Sequence, residues 1–196
     1  MFVDTLTKIS DIASNASPPE FLMTLEDAKA HLRVDFDDDD YYIISLISVV
    51  KDTVEEMIWR SLLETEWRFT TQIFAFGVKL PRSPLIAIDS VKYRDTAGVE
   101  TAVDSAEYWA DVDASMLRWV DENTVNRYAD ALIIEYRAGF TTIPTSILQA
   151  SKLILGHFYE NREVADTRKT SATFEHLPVS AKHLLERYSE RSYASW

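Results

Sequence analysis

One helix constrains this fold more than any other segment: the stretch from Pro144 to Glu163, which is apolar around most of its circumference. At about 100° per residue, its polar side chains keep to one narrow stripe. A helix of this kind is buried, so the rest of the chain must supply the surfaces that cover it. Pro144 suits the first turn, where its missing N–H breaks no helical hydrogen bond. The predicted structural core on this helix consists of Ile147, Ile154, Leu155, His157, Phe158 and Tyr159.

Composition limits the possible functions. Hydrophobic residues make up 46% of the 196 residues, enough for one sizeable core or two small ones. The chain has 20 basic and 32 acidic residues, a net charge of −12, which disfavours sequence-independent binding to DNA phosphates. The absence of cysteine excludes disulfides, thiolate catalysis and Cys-ligated zinc. With no basic leader and no run of about 18 apolar residues, we expect neither a targeting segment nor a membrane partner.

Three regions are predicted along the chain. Residues 1–20 form an N-terminal arm, residues 21–188 form a single domain with a β segment inserted at about 66–140, and residues 189–196 form a C-terminal tail. The arm has room for only a short helix, and it is either disordered or ordered by a partner. The tail combines arginine with aromatic residues, which is typical of an interface anchor, although a frayed terminus fits as well.

An acidic run at residues 35–40 separates two predicted helices. The first helix opens at Thr24, with Asp27 placed as a reciprocal capping carboxylate, and continues to about Arg33. The acidic run lacks the glycine and the closing glutamate that a calcium loop requires. Its carboxylates are therefore expected to cap the second helix, which extends from about residue 39 to residue 60.

The second helix is amphipathic, but two large aromatic residues break its pattern. Tyr41 and Trp59 project among the polar residues. Large aromatics at such positions are explained either by contact with another protein chain or by a local role in covering loops. Both interpretations remain open from the sequence, and the first makes Tyr41 and Trp59 candidate subunit-interface residues.

The middle of the chain changes from a helical period to a period of two. Apolar and polar residues alternate over 67–73, 91–94 and 132–137, and weaker strands are predicted at 108–112 and 116–120. A hairpin turn is predicted at Asp95-Thr96-Ala97-Gly98. The order of elements does not suggest βαβ units, so the fold class is α+β: a helical body of two N-terminal helices, a long buried helix and a C-terminal helix, with an inserted antiparallel β segment.

A search for catalytic motifs finds none. The nucleophile elbow, the phosphate-binding loop and the dinucleotide fingerprint are all absent. His157 and Glu160 have the i, i+3 spacing of a di-iron ligand pair, but no second pair accompanies them. His157 is therefore interpreted as a hydrogen-bonded structural histidine. We predict no catalytic residue, no cofactor and no metal site.

An ordered set of short motifs spans roughly residues 18 to 188. Its segments are Pro18-Pro19, Thr24 to Asp35, Leu62-Leu63 with Thr65 and Trp67, Leu80 to Leu85, Ser90 to Asp95 closing on Gly98, Tyr136 to Gly139, and His157 to Glu163. This set resembles the tailed-phage head–tail connector (adaptor) family, which includes the adaptors of phage-like gene transfer agents. One departure is Trp59, where the family pattern has a small residue, often glycine.

The resemblance implies a non-enzymatic structural protein of the virion neck. Such proteins are made in the host bacterial cytoplasm and assemble as a ring, usually a dodecamer, beneath the capsid portal. The ring joins the head to the downstream neck stopper or tail protein and lets DNA pass without sequence-specific binding. In this interpretation the C-terminal stretch docks into the portal, through Tyr188, Arg191, Tyr193 and Trp196.

Two other functional classes stay open from the residues alone. A monomeric small-ligand-binding or enzymatic module could use the β segment as a cup, and it would have a discrete pocket. A helix-turn-helix protein would need a basic recognition helix, which neither long helix provides.

Overall fold

The computed structural model describes residues 4–11, 22–72, 75–121, 130–161 and 177–190. The chain divides into two compact units. One unit comprises Met1–Ile12 with Leu63–Thr141 and contains the strands; the other comprises Ala13–Leu62 with Thr142–Trp196 and contains the helices. The predicted α+β fold class is confirmed, because the described residues combine four α-helices with antiparallel sheets.

The helical unit contains helices α1 (Leu25–Leu32), α2 (Asp40–Ile58), α3 (Thr145–Glu160) and α4 (Val179–Glu186). Helix α3 contacts each of the other three helices. Its Ile147, Ile154, Leu155 and Phe158 are completely buried. The most apolar helix of the sequence is thus the one around which the other helices pack.

Helix α1 begins as its sequence predicts. The Thr24 hydroxyl accepts a hydrogen bond from the backbone N–H of Asp27 at 3.1 Å and donates one to the Asp27 carboxylate at 3.0 Å. This arrangement satisfies an N–H group that the first helical turn would otherwise leave unpaired. The helix ends at Arg33, which adopts the left-handed conformation with φ of 60°.

The other unit contains two antiparallel sheets. Strands β1 (Thr5–Asp11), β2 (Thr65–Thr71), β8 (Ala131–Ala138), β4 (Leu85–Arg94) and β5 (Glu100–Ala102) lie side by side in that order. Strands β3 (Gly77–Lys79), β7 (Met116–Trp119) and β6 (Tyr108–Asp111) form the second sheet, in that order. A short 3₁₀ helix, Ser105–Glu107, precedes β6.

A single apolar core receives side chains from both sheets. Its buried members are Trp67, Phe69, Val78, Leu80, Leu85, Val91, Leu117, Trp119, Leu132, Ile134, Tyr136 and Ala138. Buried and less buried side chains alternate along β2, as the period of two requires. Strand β8 departs from this pattern, because its first four residues, Ala131–Ile134, are all buried. Both sides of the sheet are therefore buried at the start of β8.

The N-terminal arm differs from the prediction of a disordered segment or short helix. Thr5–Asp11 forms strand β1, which pairs antiparallel with β2. The register shifts between Lys8 and Ser10, so Ile9 occupies an irregularity in the strand. This irregularity interrupts the alternation of the strand, so the sequence around Leu6, which packs against the core, and the exposed Ile9 does not show a period of two.

The Leu80-to-Leu85 motif forms a tightly held loop in the sheet unit. The Tyr136 hydroxyl donates to the Pro81 carbonyl oxygen at 2.8 Å, and the Ser115 hydroxyl accepts from the Leu85 N–H at 3.1 Å. Gly139 donates its N–H to the Pro84 carbonyl at 2.9 Å. Two separate segments, the end of β8 and the turn before β7, thus fix this one connection, and one of them is the Tyr136-to-Gly139 motif.

Candidate interaction surfaces

The exposed side of α2 carries the first candidate interface residue. Tyr41 is 90% exposed, at the N-terminal end of the helix. Ser45, Ser48 and Asp52 follow it on the exposed side. The structure therefore excludes Tyr41 as a local cover over loops within the described residues. An exposed tyrosine of this kind offers a large contact area at a small cost in side-chain entropy.

Trp59 lies just beyond the other end of α2. Eighteen residues separate it from Tyr41, which corresponds to five helical turns and about 27 Å along the axis. The two candidate residues therefore lie at opposite ends of α2 and cannot form one small patch. Trp59 is partly buried and adopts the left-handed conformation with φ of 60°, the conformation that favours the glycine of the family pattern.

The C-terminal tail begins beside Trp59. The Glu190 N–H donates to the Ile58 carbonyl oxygen at 2.9 Å. The Glu190 carboxylate lies 3.6 Å from the Arg60 guanidinium. Trp59 is thus flanked on both sides by residues that hold Glu190, and the structure brings together two sites that the sequence placed 130 residues apart.

Only one of the four predicted portal-contact residues can be located. Tyr188 is partly buried, and the Arg187 guanidinium carbon lies 5.2 Å from the centre of its ring. The other three residues, Arg191, Tyr193 and Trp196, lie outside the described residues. The assignment of these four residues to the portal stays a prediction.

The acidic run before α2 is held by a lysine and a tyrosine. The Lys29 ammonium lies 2.7 Å from a carboxylate oxygen of Asp37 and 2.7 Å from one of Asp40. Its hydrogen bond to Asp37, and then that to Asp40, raise the pKa of Lys29, and the same Lys29 contact lowers the pKa of Asp37. The Tyr159 hydroxyl donates to Asp39 at 2.6 Å.

These contacts correct the predicted role of the acidic run. Asp39 occupies the N-cap position of α2, but its side chain makes no capping hydrogen bond. Its carboxylate accepts from Tyr159 instead, which ties the start of α2 to α3. The carboxylates thus fix the loop through side-chain partners more than through the helix N-terminus.

His157 differs from the other predicted core residues of α3. Its side chain is partly buried, with Nδ1 at 3.4 Å from the Asn161 amide nitrogen, a long and weak contact. Its buried Nε2 has no hydrogen-bond partner among the residues that the structure describes. Tyr159 is also partly buried. His157 is therefore less well satisfied than the hydrogen-bonded structural histidine that the sequence predicts.

A charged cluster covers the outward side of the five-stranded sheet. Glu135 on β8 accepts hydrogen bonds from the Ser90 hydroxyl at 2.7 Å and from the Arg68 Nε at 3.0 Å. These two bonds, in that order, lower the pKa of Glu135. On the same strand, Arg137 pairs with Asp89 at 3.0 Å and with Glu64 at 2.9 Å. The cations on this part of the sheet are thus already neutralised by neighbouring carboxylates.

The outward side of the three-stranded sheet is different, because it exposes apolar residues that the sequence analysis missed. Trp109 on β6 is 49% exposed, and Val120, directly after β7, is 62% exposed. Trp109 lies opposite Arg118 in the strand register. The sequence pattern could have predicted the exposure of Trp109. Successive residues of a strand face opposite sides, so Trp109 shares a side with Asp111, and Tyr108 shares the other side with Ala110. The tryptophan therefore lies on the polar side of the strand.

No group of three or more histidine, aspartate or glutamate side chains among the described residues is arranged to hold a metal ion. None of the helices described is both long and apolar enough to span a bilayer.

One protein-family model matches part of the chain. Residues 22–117 match the family model described as "Phage gp6-like head-tail connector protein". This match confirms the resemblance predicted from the sequence motifs. No curated protein matches the chain by sequence.

Solved structures share the fold at low sequence identity. A chain in "Virion of native gene transfer agent (GTA) particle" has a TM-score of 0.70 and 21% identity, with 94% of each chain covered. A chain in "Neck of empty GTA particle computed with C6 symmetry" has a TM-score of 0.66 and 20% identity, covering 94% of this chain and 95% of the other. A chain in "Neck of native GTA particle computed with C12 symmetry" has a TM-score of 0.66 and 18% identity, with 94% of each covered.

Proposed function

We propose that this chain, a member of the phage gp6-like head–tail connector family through residues 22–117, is a structural component of a virion neck. In this role it forms a ring beneath the capsid portal and joins the head to the next neck or tail protein. The observation that carries the proposal is the family match, supported by a fold similar over 94% of the chain to chains in gene transfer agent particles.

Ring formation requires two different surfaces on each subunit that fit each other. Such heterologous contacts close into a ring when the rotation between neighbours divides a full turn. We assign Tyr41 and Trp59 to this subunit contact. The 90% exposure of Tyr41 supports the assignment. The C12 symmetry used for one neck that contains a similar chain supports a ring of twelve subunits, and a dodecamer is the expected assembly.

The C-terminal stretch is assigned to the portal. Glu190 is fixed to the end of α2 by its contacts with Ile58 and Arg60. Residues 191–196, with their arginine and two aromatics, continue from this fixed point. A short segment that leaves a fixed anchor loses less freedom on binding than a fully free tail does.

DNA passage is the third part of the proposed role. The net charge of −12 disfavours adhesion of the DNA phosphates to the protein. The ion pairs of Arg68 with Glu135, and of Arg137 with Asp89 and Glu64, neutralise cations that would otherwise attract phosphate. The protein acts as a conduit and adaptor, and no catalytic step is assigned to it.

Mass measurement tests this proposal directly. Light scattering of the protein alone and with the purified portal, followed by electron microscopy of any large species, should reveal closed rings or collars bound to the portal. A protein that stays monomeric and does not bind the portal would contradict the connector role. A ligand screen would then test the alternative of a small-ligand-binding or enzymatic module.

A further inference from the structure

An apolar patch on the three-stranded sheet has no role in the functions assigned so far. It consists of Trp109 and Val120, with Arg118 beside them, and is called the Trp109 patch below. Trp109 is nearly half exposed, and Val120 is exposed further. Tyr108, Ala110, Leu117 and Trp119 belong to or pack against the core, so the residues that alternate with them on β6 and β7 face outward.

The patch is held in place by its own contacts. The Arg118 guanidinium carbon lies 5.8 Å from the centre of the Trp109 ring. Arg118 Nε in turn lies 2.7 Å from the Asp111 carboxylate, which also accepts the Ala114 N–H at 3.0 Å. The Arg118 hydrogen bond is the main reason that the pKa of Asp111 is lowered. An aromatic side chain fixed in this way before binding loses little entropy when it docks.

Tryptophan and arginine are also the residues that dominate binding energy in protein interfaces. A half-exposed tryptophan next to an arginine, with a valine near it, has the composition of an interface centre, where aromatic residues and arginine are enriched. The Trp109 patch is therefore better suited to a protein partner than to solvent.

Charge indicates which kind of protein fits. Residues 99–121 contain six carboxylates and one arginine, a net charge of −5. The one arginine, Arg118, is already paired with Asp111. Two of these carboxylates lie beside the patch: Asp111 pairs with Arg118, and Glu107 accepts the Val120 N–H through its carbonyl oxygen. The surroundings of the patch are thus acidic, which favours a partner surface that surrounds an apolar hollow with lysine and arginine.

A second copy of this chain is a poor match for that rim. The chain carries −12 overall, and Lys29, Arg68 and Arg137 each have a carboxylate partner within the subunit. DNA is a poor match too, because phosphates and the acidic rim repel each other. The partner is therefore a separate protein with a basic rim.

We propose that the Trp109 patch is the docking surface for a separate basic-rimmed protein, namely the neck component that follows this protein in the particle. This inference rests on the proposed connector function. The two partners are assigned to different units of the chain. The tail assigned to the portal belongs to the helical unit, whereas the Trp109 patch belongs to the sheet unit. One subunit can thus hold both partners through different residues.

Four variants of the full-length protein test this assignment. Trp109→Ala removes the indole, and Glu107→Lys reverses an exposed charge beside Val120, whose N–H donates to the Glu107 carbonyl. Phe36→Ala and Asp35→Lys make the matching changes at exposed positions of the helical unit. Titration calorimetry would measure the affinity of each variant for the purified downstream neck protein and for the purified portal. Light scattering would measure assembly.

The expected result is selective. Trp109→Ala should weaken binding to the downstream neck protein at least tenfold, and Glu107→Lys should weaken it several-fold with a smaller dependence on salt. Both variants should keep portal binding and assembly, and both control variants should behave like the wild type. This pattern would support the assignment.

Three results would overturn it. Trp109→Ala with unchanged affinity for the downstream protein would remove the patch from that interface. Loss of ring assembly in Trp109→Ala would make the patch a contact between copies of this chain. A wild type that binds the portal but not the downstream protein would contradict this assignment alone, whereas a wild type that neither assembles nor binds the portal would contradict the connector function itself.

Discussion

The backbone N–H of Glu190 donates a hydrogen bond of 2.9 Å to the carbonyl oxygen of Ile58, the last residue of α2. The C-terminal carbonyls of a helix need partners from outside the helix, and Glu190 supplies one of them. The start of the tail is therefore bound to the C-terminal end of α2. Trp59 lies between Ile58 and Arg60, the two residues that contact Glu190.

Because of this hydrogen bond, two truncations of the tail should differ in their effect on stability. Deleting residues 191–196 should leave the melting temperature unchanged and weaken portal binding, because the Glu190 contacts remain. Deleting residues 189–196 should also lower the free energy of unfolding, by about 1 kcal/mol for the lost hydrogen bond. Thermal melts and portal titrations of both proteins check this. Normal portal binding by the shorter deletion would rule out the tail as the portal contact.

Trp59 predicts a stability difference between two substitutions that remove the same indole. At φ of 60°, glycine is unstrained, whereas the Cβ atom of alanine makes this left-handed conformation less favourable. Trp59→Gly should therefore be about 1 kcal/mol more stable than Trp59→Ala, as measured by urea unfolding. Equal stability would mean that the left-handed conformation does not persist. If Trp59 lies in the subunit contact, both variants should assemble less well than the wild type.

Tyr41 predicts loss of assembly without loss of stability. Its side chain is 90% exposed, so Tyr41→Ala should change the free energy of unfolding by less than about 0.5 kcal/mol. Ring assembly, measured by light scattering at several protein concentrations, should shift to higher concentration. Ser45→Ala is a control on the same exposed side of α2. Assembly of Tyr41→Ala at wild-type concentrations would remove Tyr41 from the interface.

Replacing two different glycines by alanine should lower the free energy of unfolding by unequal amounts. A Cβ atom at Gly139 would lie 2.5 Å from the Leu63 carbonyl oxygen and 2.7 Å from the Glu64 nitrogen, and φ at this glycine is 153°. Because both contacts are with backbone atoms, Gly139→Ala should destabilise the protein by on the order of 3 kcal/mol. Gly98 has φ of 84° but open space around it, so Gly98→Ala should cost only about 1 kcal/mol. Chemical unfolding of the two variants would compare them, and similar losses would contradict the predicted close approach at Gly139.

Glu135 predicts part of the protein's sensitivity to acid. Its pKa is lowered by hydrogen bonds from Ser90 and Arg68, so the carboxylate stabilises the fold above its unfolded pKa of about 4.3. That stabilisation is lost as the pH falls through the lower folded pKa. The stability gap between wild type and Glu135→Gln should therefore shrink below about pH 4.3.

Urea unfolding of both proteins at pH 7, 5 and 3.5 measures this gap. Glu100→Gln, on the exposed edge strand β5, should match the wild type at pH 7. A gap between wild type and Glu135→Gln that stays constant across the three pH values would contradict the role of the Glu135 hydrogen bonds.

The strongly periodic elements were predictable from the sequence because each repeats one pattern many times. Helix α3 was predicted from its near-complete apolar surface, and α2 from one apolar face and one polar face; the observed Thr145–Glu160 and Asp40–Ile58 lie within the predicted ranges. The turn at residues 95–98 was predicted as well. There the Asp95 carboxylate accepts the N–H groups of Ala97 and Val99, each at 2.9 Å.

Short or irregular elements were not predictable in the same way. Strand β3 has only three residues, too few to show a period. Strand β1 was missed because its irregularity at Ile9 interrupts the alternation. The acidic run was placed correctly before α2, but its partners Lys29 and Tyr159 come from α1 and α3, which local capping rules do not include.

The sequence by itself determined the fold class and the central helix, because both follow from local periodicity along the chain. Its ordered motifs also showed the resemblance to the head–tail connector family that the match over residues 22–117 supports. Only the tertiary structure decided which distant residues meet. It placed Glu190 against Ile58 and Arg60, and it left Trp109 on the outward side of a sheet beside Arg118. The physical reason is that strand register and helix packing bring together residues far apart in the chain, and no local pattern encodes those pairs.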